Sequence, residues 1–156
     1  MTDAAEDTFM RRAIQLSEQA MAEGAEPPFG AVIVRDGAVV AEGYNHVHAH
    51  NDPTAHAEIV AIRLACAAVG SPSLAGCTIY SSAEPCPMCL AAIYWAGIGR
   101  VYYANERAAA AAAGFDDAFL YQEVALPITE RALPMTQHLA DEGQAAFDAW
   151  QARSKT

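Results

Sequence analysis

The chain carries Thr54-Ala55-His56-Ala57-Glu58 and, further on, Glu84-Pro85-Cys86-Pro87-Met88-Cys89. One imidazole and two thiols form a zinc donor set, because that ion prefers tetrahedral nitrogen and sulfur ligation. A catalytic zinc keeps three protein ligands and leaves the fourth place to water. Such a water has its pKa lowered from 15.7 toward ~7. Glu58, two residues from His56, is a carboxylate placed to carry the released proton. The implied chemistry is hydrolysis by activated water, with His56, Cys86 and Cys89 as Zn2+ ligands and Glu58 as the catalytic acid–base.

Each piece alone has a blander reading. Cys86-x-x-Cys89 also describes a redox pair or half of a structural zinc knuckle. His56 alone is an ordinary helix-start residue, and Glu58 a first-turn acid favoured by the helix dipole. A structural zinc needs a fourth strong ligand, and Cys66 and Cys77 read as packing residues instead. Taken together, and at two expected helix starts, the residues favour catalysis. The histidines of the loop His46-Val47-His48-Ala49-His50 read as solvated, since no partner ligands are visible for a second metal. Asn45 closes a strand, where its amide can face a pocket.

Two helices must position the metal group. Periodicity and breakers place one over about Ala55 to Val69, ended by Gly70 and Pro72, and another over Pro87 to Ala96, ended by Gly97. They carry one charge between Ile59 and Ala96, Arg63, which predicts burial against one face of a sheet. A helix from about Asp7 to Glu23, with Phe9, Ala13, Leu16 and Ala20 on its apolar face, is expected elsewhere on the surface. Ala31–Val34 and Val39-Val40 flank Asp36-Gly37, a hairpin signal. Thr78–Tyr80 and Arg100–Tyr103 read as strands joined by a parallel crossover. Ala108 to Ala113 is helical by propensity up to Gly114. Met135 to Leu139 is a fifth strand by this reading, and Asp141 to Arg153 a last helix with Phe147 and Trp150 inward.

The 156 residues suit one domain, 1–156, able to bury about two thirds of its unfolded surface. A formal charge of -10 and the lack of any Lys/Arg cluster disfavour nucleic acid, whose phosphates call for a basic footprint. A small, uncharged substrate is the expectation. No signal peptide opens the chain and no apolar run reaches the ~18 residues of a membrane span. A cytoplasmic location follows, where four cysteines stay reduced.

The pairing of H-x-E with P-C-x-x-C is the mark of the zinc nucleobase deaminases, and here the sequence resembles the cytidine deaminase-like superfamily. Within it the chain closely resembles the bacterial guanine deaminases. The resemblance rests on Pro28–Val34, Asn51–Ile59, Glu84–Leu90, Ala92–Ala96 and Ala113–Asp117, the Ile93-Tyr94-Trp95-Ala96 and Gly114-Phe115-Asp116-Asp117 blocks being the narrower ones. It implies a three-layer α/β/α fold with a central mixed sheet of about five strands, and a homodimer in which the C-terminal segment can be exchanged. It implies hydrolysis of guanine at C2 to xanthine and ammonia, with Asn45 and Asp117 contacting the base. Phe29, Trp95 and Phe115 are candidates to stack on or wall the ring. An ionised Asp117 only accepts hydrogen bonds, which suits the N1–H and amino donors of guanine but not the acceptor nitrogens of adenine or cytosine. Chains of this family end in an aromatic residue that reaches the substrate, whereas this one ends Ser154-Lys155-Thr156. The competing readings are deamination of guanosine, cytosine, cytidine or an aminated triazine, tRNA adenosine deamination, and a non-catalytic binding module stabilised by zinc.

Overall fold

The computed structural model describes residues 3–153, so the ending Ser154-Lys155-Thr156, contrasted above with the aromatic terminus that the resemblance implies, lies outside the described residues. The chain divides into two compact units, one reaching to Ala118 and the other starting at Phe119.

The first unit is built on a mixed four-stranded sheet in the order β2-β1-β3-β4. Its strands are β1 (Gly30–Arg35), β2 (Ala38–Tyr44), β3 (Cys77–Ala83) and β4 (Arg100–Asn105). β1 pairs antiparallel with both β2 and β3, while β3 and β4 are parallel. The β1–β2 turn places Asp36 and Gly37 at φ +50° and +78°, the left-handed pair that the Asp-Gly signal calls for. Alternation along β1 separates the two faces. Ala31 and Ile33 face one cluster, with Ala57, Ala61, Ala65, Ile79, Ile93 and Ala96. Val32 and Val34 face the other, with Ala13, Leu16 and Tyr80. Helix α1 (Asp3–Gly24) therefore covers one face, and α3 (Ala57–Val69) and α4 (Pro87–Ala96) the opposite one. The result is three layers, α/β/α.

Two glycines permit this close layering. A Cβ at Gly43 on β2 would lie 2.7 Å from Ala57 O and from Ala61 N, in the backbone of α3. One at Gly30 would lie 2.6 Å from Leu16 Cβ and 2.7 Å from Ser17 N of α1. Real Cβ atoms do not approach so closely, so both helices sit at a distance only glycine allows. Arg12 of α1 donates through Nε and Nη2 to Glu42 of β2 at 2.8 and 2.6 Å, a half-exposed pair worth at most about 1 kcal/mol.

The remaining elements of this unit are the short α2 (Val47–His50) and α5 (Arg107–Ala112). Helix α2 lies where the sequence predicts only loop. The second unit holds the end of α6 (Ala118–Ala125), a 3-10 turn at Ile128–Glu130, and α7 (Ala140–Arg153).

Three expectations are corrected. The sheet has four strands, not five, because Met135–Leu139 enters no ladder and its backbone groups find no strand to pair with. Phe147 and Trp150 do not point inward; each is 68% exposed. The apolar circumference of α3 and α4 is not wholly buried either, since Leu64, Tyr94 and Trp95 stand out in solvent. Among the described residues no helix is long and apolar enough to cross a membrane.

Candidate active site

His56 is the N-cap of α3 and Cys86 the N-cap of α4, in extended conformation at ψ 157° and 168°. The His56 side chain does not cap its own helix, and its imidazole and the Cys86 sulfur turn toward each other. His56 Nδ1 lies 3.6 Å from Cys86 Sγ and 3.5 Å from Cys89 Sγ. The three ligand atoms lie within 4.8 Å of one another. Cys89, three residues into α4, is fully buried, and the other two are half-buried. The packing of α3 and α4 on one face of the sheet brings the two helix starts together. Both starts carry partial positive charge, which favours thiolate.

The electrostatics show what the group is suited to hold. Cys86 is brought down to about 4, chiefly because the Cys89 thiol donates to it, with His56 adding to the effect against burial. Cys89 is pushed up by that same bond and by burial. His56 is raised, first by its bond with Cys86. The protons that bind this cluster are those a divalent cation replaces, since ligating sulfur and imidazole must be deprotonated. One nitrogen and two sulfurs suit zinc, and no fourth His, Cys, Asp or Glu among the described residues joins the group. Cys77 is packed in the core and Cys66 lies against it. Three protein ligands are the catalytic number.

Glu58 is 6% exposed, and its Oε1 accepts a 3.1 Å hydrogen bond from Ser81 Oγ on β3. Burial pushes its carboxyl upward, above the usual range. Ser81, itself buried, belongs to the site although no spacing in the sequence marks it.

Asn45 follows β2 and is 3% exposed. Its Oδ1 accepts the Val47 N–H at 3.3 Å, and because that partner is a donor, the side-chain orientation is fixed. Nδ2 is left with its protons available to a ligand acceptor. Asp117 is partly buried, with Arg107 Nε at 3.8 Å from its Oδ1. Burial raises its carboxyl, against the pull of Arg107, and the charges of Cys86 and Asp116 raise it further. Asp117 thus lies within electrostatic reach of the metal group. Phe29 and Phe115 meet edge to face at 5.1 Å. They wall a cavity of about 160 Å³ that is also lined by Pro28, Ala83 and Asn105, with none of the three metal-group residues on its wall. Trp95 is elsewhere, 90% exposed on the outer face of α4 beside Tyr94. His46, His48 and His50 form no metal group among the described residues; His46 and His50 stack at 4.8 Å.

The family described as "cytidine and deoxycytidylate deaminase zinc-binding region" matches residues 3–105, from α1 to the end of β4. The chain belongs to that deaminase family. Guanine deaminase of Bacillus subtilis is 51% identical over 144 residues, 92% of each protein, and its crystal structure superposes with a TM-score of 0.91 over 94% of this chain and 93% of that one. A guanine deaminase from Nitrosomonas europaea gives a TM-score of 0.66 at 31% identity, covering 70% of this chain and 64% of that one. A tRNA-specific adenosine deaminase of Agrobacterium fabrum is 46% identical over 102 residues, 65% of this chain and 67% of that protein. The chain is accordingly a nucleobase deaminase of the hydrolase type by family. The likeness to the tRNA enzyme covers 65% of this chain, and that to the Bacillus subtilis guanine deaminase 92%.

Proposed function

We propose that this chain is a zinc-dependent guanine deaminase that converts guanine and water to xanthine and ammonia. The observation that carries the reading is the likeness to the Bacillus subtilis guanine deaminase, which continues past β4 through the Asp117 block and the second unit. His56, Cys86 and Cys89 would hold the zinc. That ion supplies Lewis acidity where water and substrate meet, the property that makes water acidic enough to give up a proton near neutral pH.

The chain's own groups do the rest. Glu58 takes one proton of the attacking water and delivers it to a ring nitrogen, then takes the second from the oxygen added at C2 and delivers it to the departing amine. A buried carboxyl with a raised pKa serves both halves of that transfer, because base and acid work best with a pKa close to the working pH. Ser81 donates to Glu58 Oε1 and so holds the carboxyl in place. Oxygen is added at C2, the C2–N bond breaks, and the amine leaves as ammonia with the shuttled proton. Asn45 Nδ2 donates to an acceptor on the base, and Asp117 accepts from its N1–H and amino edge. A base with acceptors at that edge leaves the carboxylate unpaired, which costs roughly 1–3 kcal/mol or more. Phe29 and Phe115 wall the ring.

The same proposal takes 1–156 as one deaminase domain acting as a cytoplasmic homodimer, with exchange of the C-terminal segment between copies as the way the pair closes. It is supported by the absence of any buried residue among the described residues from Phe119 to Arg153, by the exposed Tyr94 and Trp95 of α4, and by four unpaired cysteines. The test is ammonia release by zinc-loaded protein from guanine, guanosine, cytosine, cytidine, adenosine and an aminated triazine, with tRNA assayed in parallel for inosine. Guanine should be turned over with the highest kcat/KM. A higher value for cytidine, or efficient conversion of tRNA, would contradict the proposal.

A further inference from the structure

Glu26 is a carboxylate only 3% exposed that no step above uses. Removing a carboxylate from water is costly unless donors replace its hydration, and here the donors are main-chain amides. Oε2 accepts the His48 N–H at 3.1 Å and Oε1 the Ala49 N–H at 2.6 Å. Burial pushes the carboxyl up, but these two bonds, with the His48 and His46 imidazoles, outweigh it and leave it below the usual range. Asn45 Oδ1 accepts the Val47 N–H and the His46 carbonyl accepts the His50 N–H. All four amides of α2 are then accounted for. A four-residue helix does not stand by itself in water; this one stands because Glu26 reaches it from 22 residues upstream.

The segment after Glu26 grips the same stretch again. Phe29 O accepts the Asn45 N–H at 3.1 Å, and on the other side the His46 N–H donates to Ala55 O at 3.0 Å, one residue before His56. Asn45 is thereby held between the aromatic wall, α2 and the metal group. Its side chain leans on the first amide of the helix that Glu26 holds.

We propose that Glu26 is a positioning residue for substrate recognition, its carboxylate fixing α2 and through it the orientation in which Asn45 presents Nδ2 to the base. This rests on the reading of Asn45 as a base contact. A cap serving stability alone would lower the melting temperature and leave the kinetics untouched.

The test is steady-state deamination of guanine by zinc-loaded wild type, Glu26→Gln, Asn45→Ala and the double variant. Glutamine keeps the size of Glu26 but turns a donor toward one of the two amides. Glu26→Gln should raise KM about tenfold and change kcat less than about twofold. The double variant should lose no more kcat/KM than Asn45→Ala alone, because the two residues act as one unit. Glu26→Asp, with the charge restored at shorter reach, should recover part of the KM. Losses that multiply in the double variant, or an unchanged KM in folded Glu26→Gln, would overturn the proposal and leave the Asn45 contact standing. Asn45→Ala with wild-type kcat/KM would remove the base contact and the proposal together. Failure of both Glu26→Gln and Glu26→Asp to fold would make Glu26 a folding determinant and end the proposal.

Discussion

Each side chain of the metal group owes its position to a helix start. His56 and Cys86 occupy N-cap places and Cys89 follows one turn later, so two helix starts bring three metal-donor groups to one point. Asp117 works at the same scale. Its carboxyl is raised by burial, while the Arg107 guanidinium at 3.8 Å acts the other way. As a hydrogen-bond acceptor it must be ionised, so kcat/KM for guanine should fall as pH drops through its pKa. Removing the cation removes the one downward pull from a neighbouring charge, which moves that pKa up. Arg107→Gln should therefore shift the acid limb of the kcat/KM profile to higher pH. An unmoved limb would separate Asp117 from the limb, and a shift to lower pH would contradict the sign.

At the scale of elements, the distance between β2 and α3 is set by Gly43. Alanine there would press on Ala57 O and Ala61 N, which are backbone and cannot turn aside. Overpacking of this kind costs about 1–3 kcal/mol, or a melting point lower by roughly 2–10 °C for a domain of this size. Because α3 carries His56, Gly43→Ala should also weaken zinc retention, read by metal content after dialysis; unchanged melting and metal would contradict the close approach. The elements that carry the metal group were legible in sequence because their signals are local: Gly70 and Gly97 close α3 and α4, Pro87 opens α4, and Asp36-Gly37 turns the hairpin. Helix α2 was not, since two of its four amides are satisfied by Glu26, more than twenty residues away. Ser81 and Arg107 were equally hidden, as a strand hydroxyl and a first-turn arginine have no spacing that points to Glu58 or Asp117. The fifth strand failed for a related reason. Met135–Leu139 has the composition of a strand, but strands exist by pairing, and pairing is not written in five residues.

For the whole molecule, the apolar side chains left in solvent matter most. Phe147 and Trp150 on α7, and Tyr94 and Trp95 on α4, are between 68% and 90% exposed, more than isolated surface apolars require. A homodimer would cover them. Sedimentation should give twice the chain mass of 16.5 kDa, and Trp95→Glu should shift the population toward single chains; wild type sedimenting as a single chain would contradict the assembly. In the proposed reaction a cation group and a buried carboxyl act on one water. The most direct measurement is ammonia release from guanine by wild type and Glu58→Gln, with zinc determined on the same samples. One zinc per chain in both, and a rate lower by about 10²–10⁴ in Glu58→Gln, is the expected result. Turnover near wild type in zinc-replete Glu58→Gln would contradict the account.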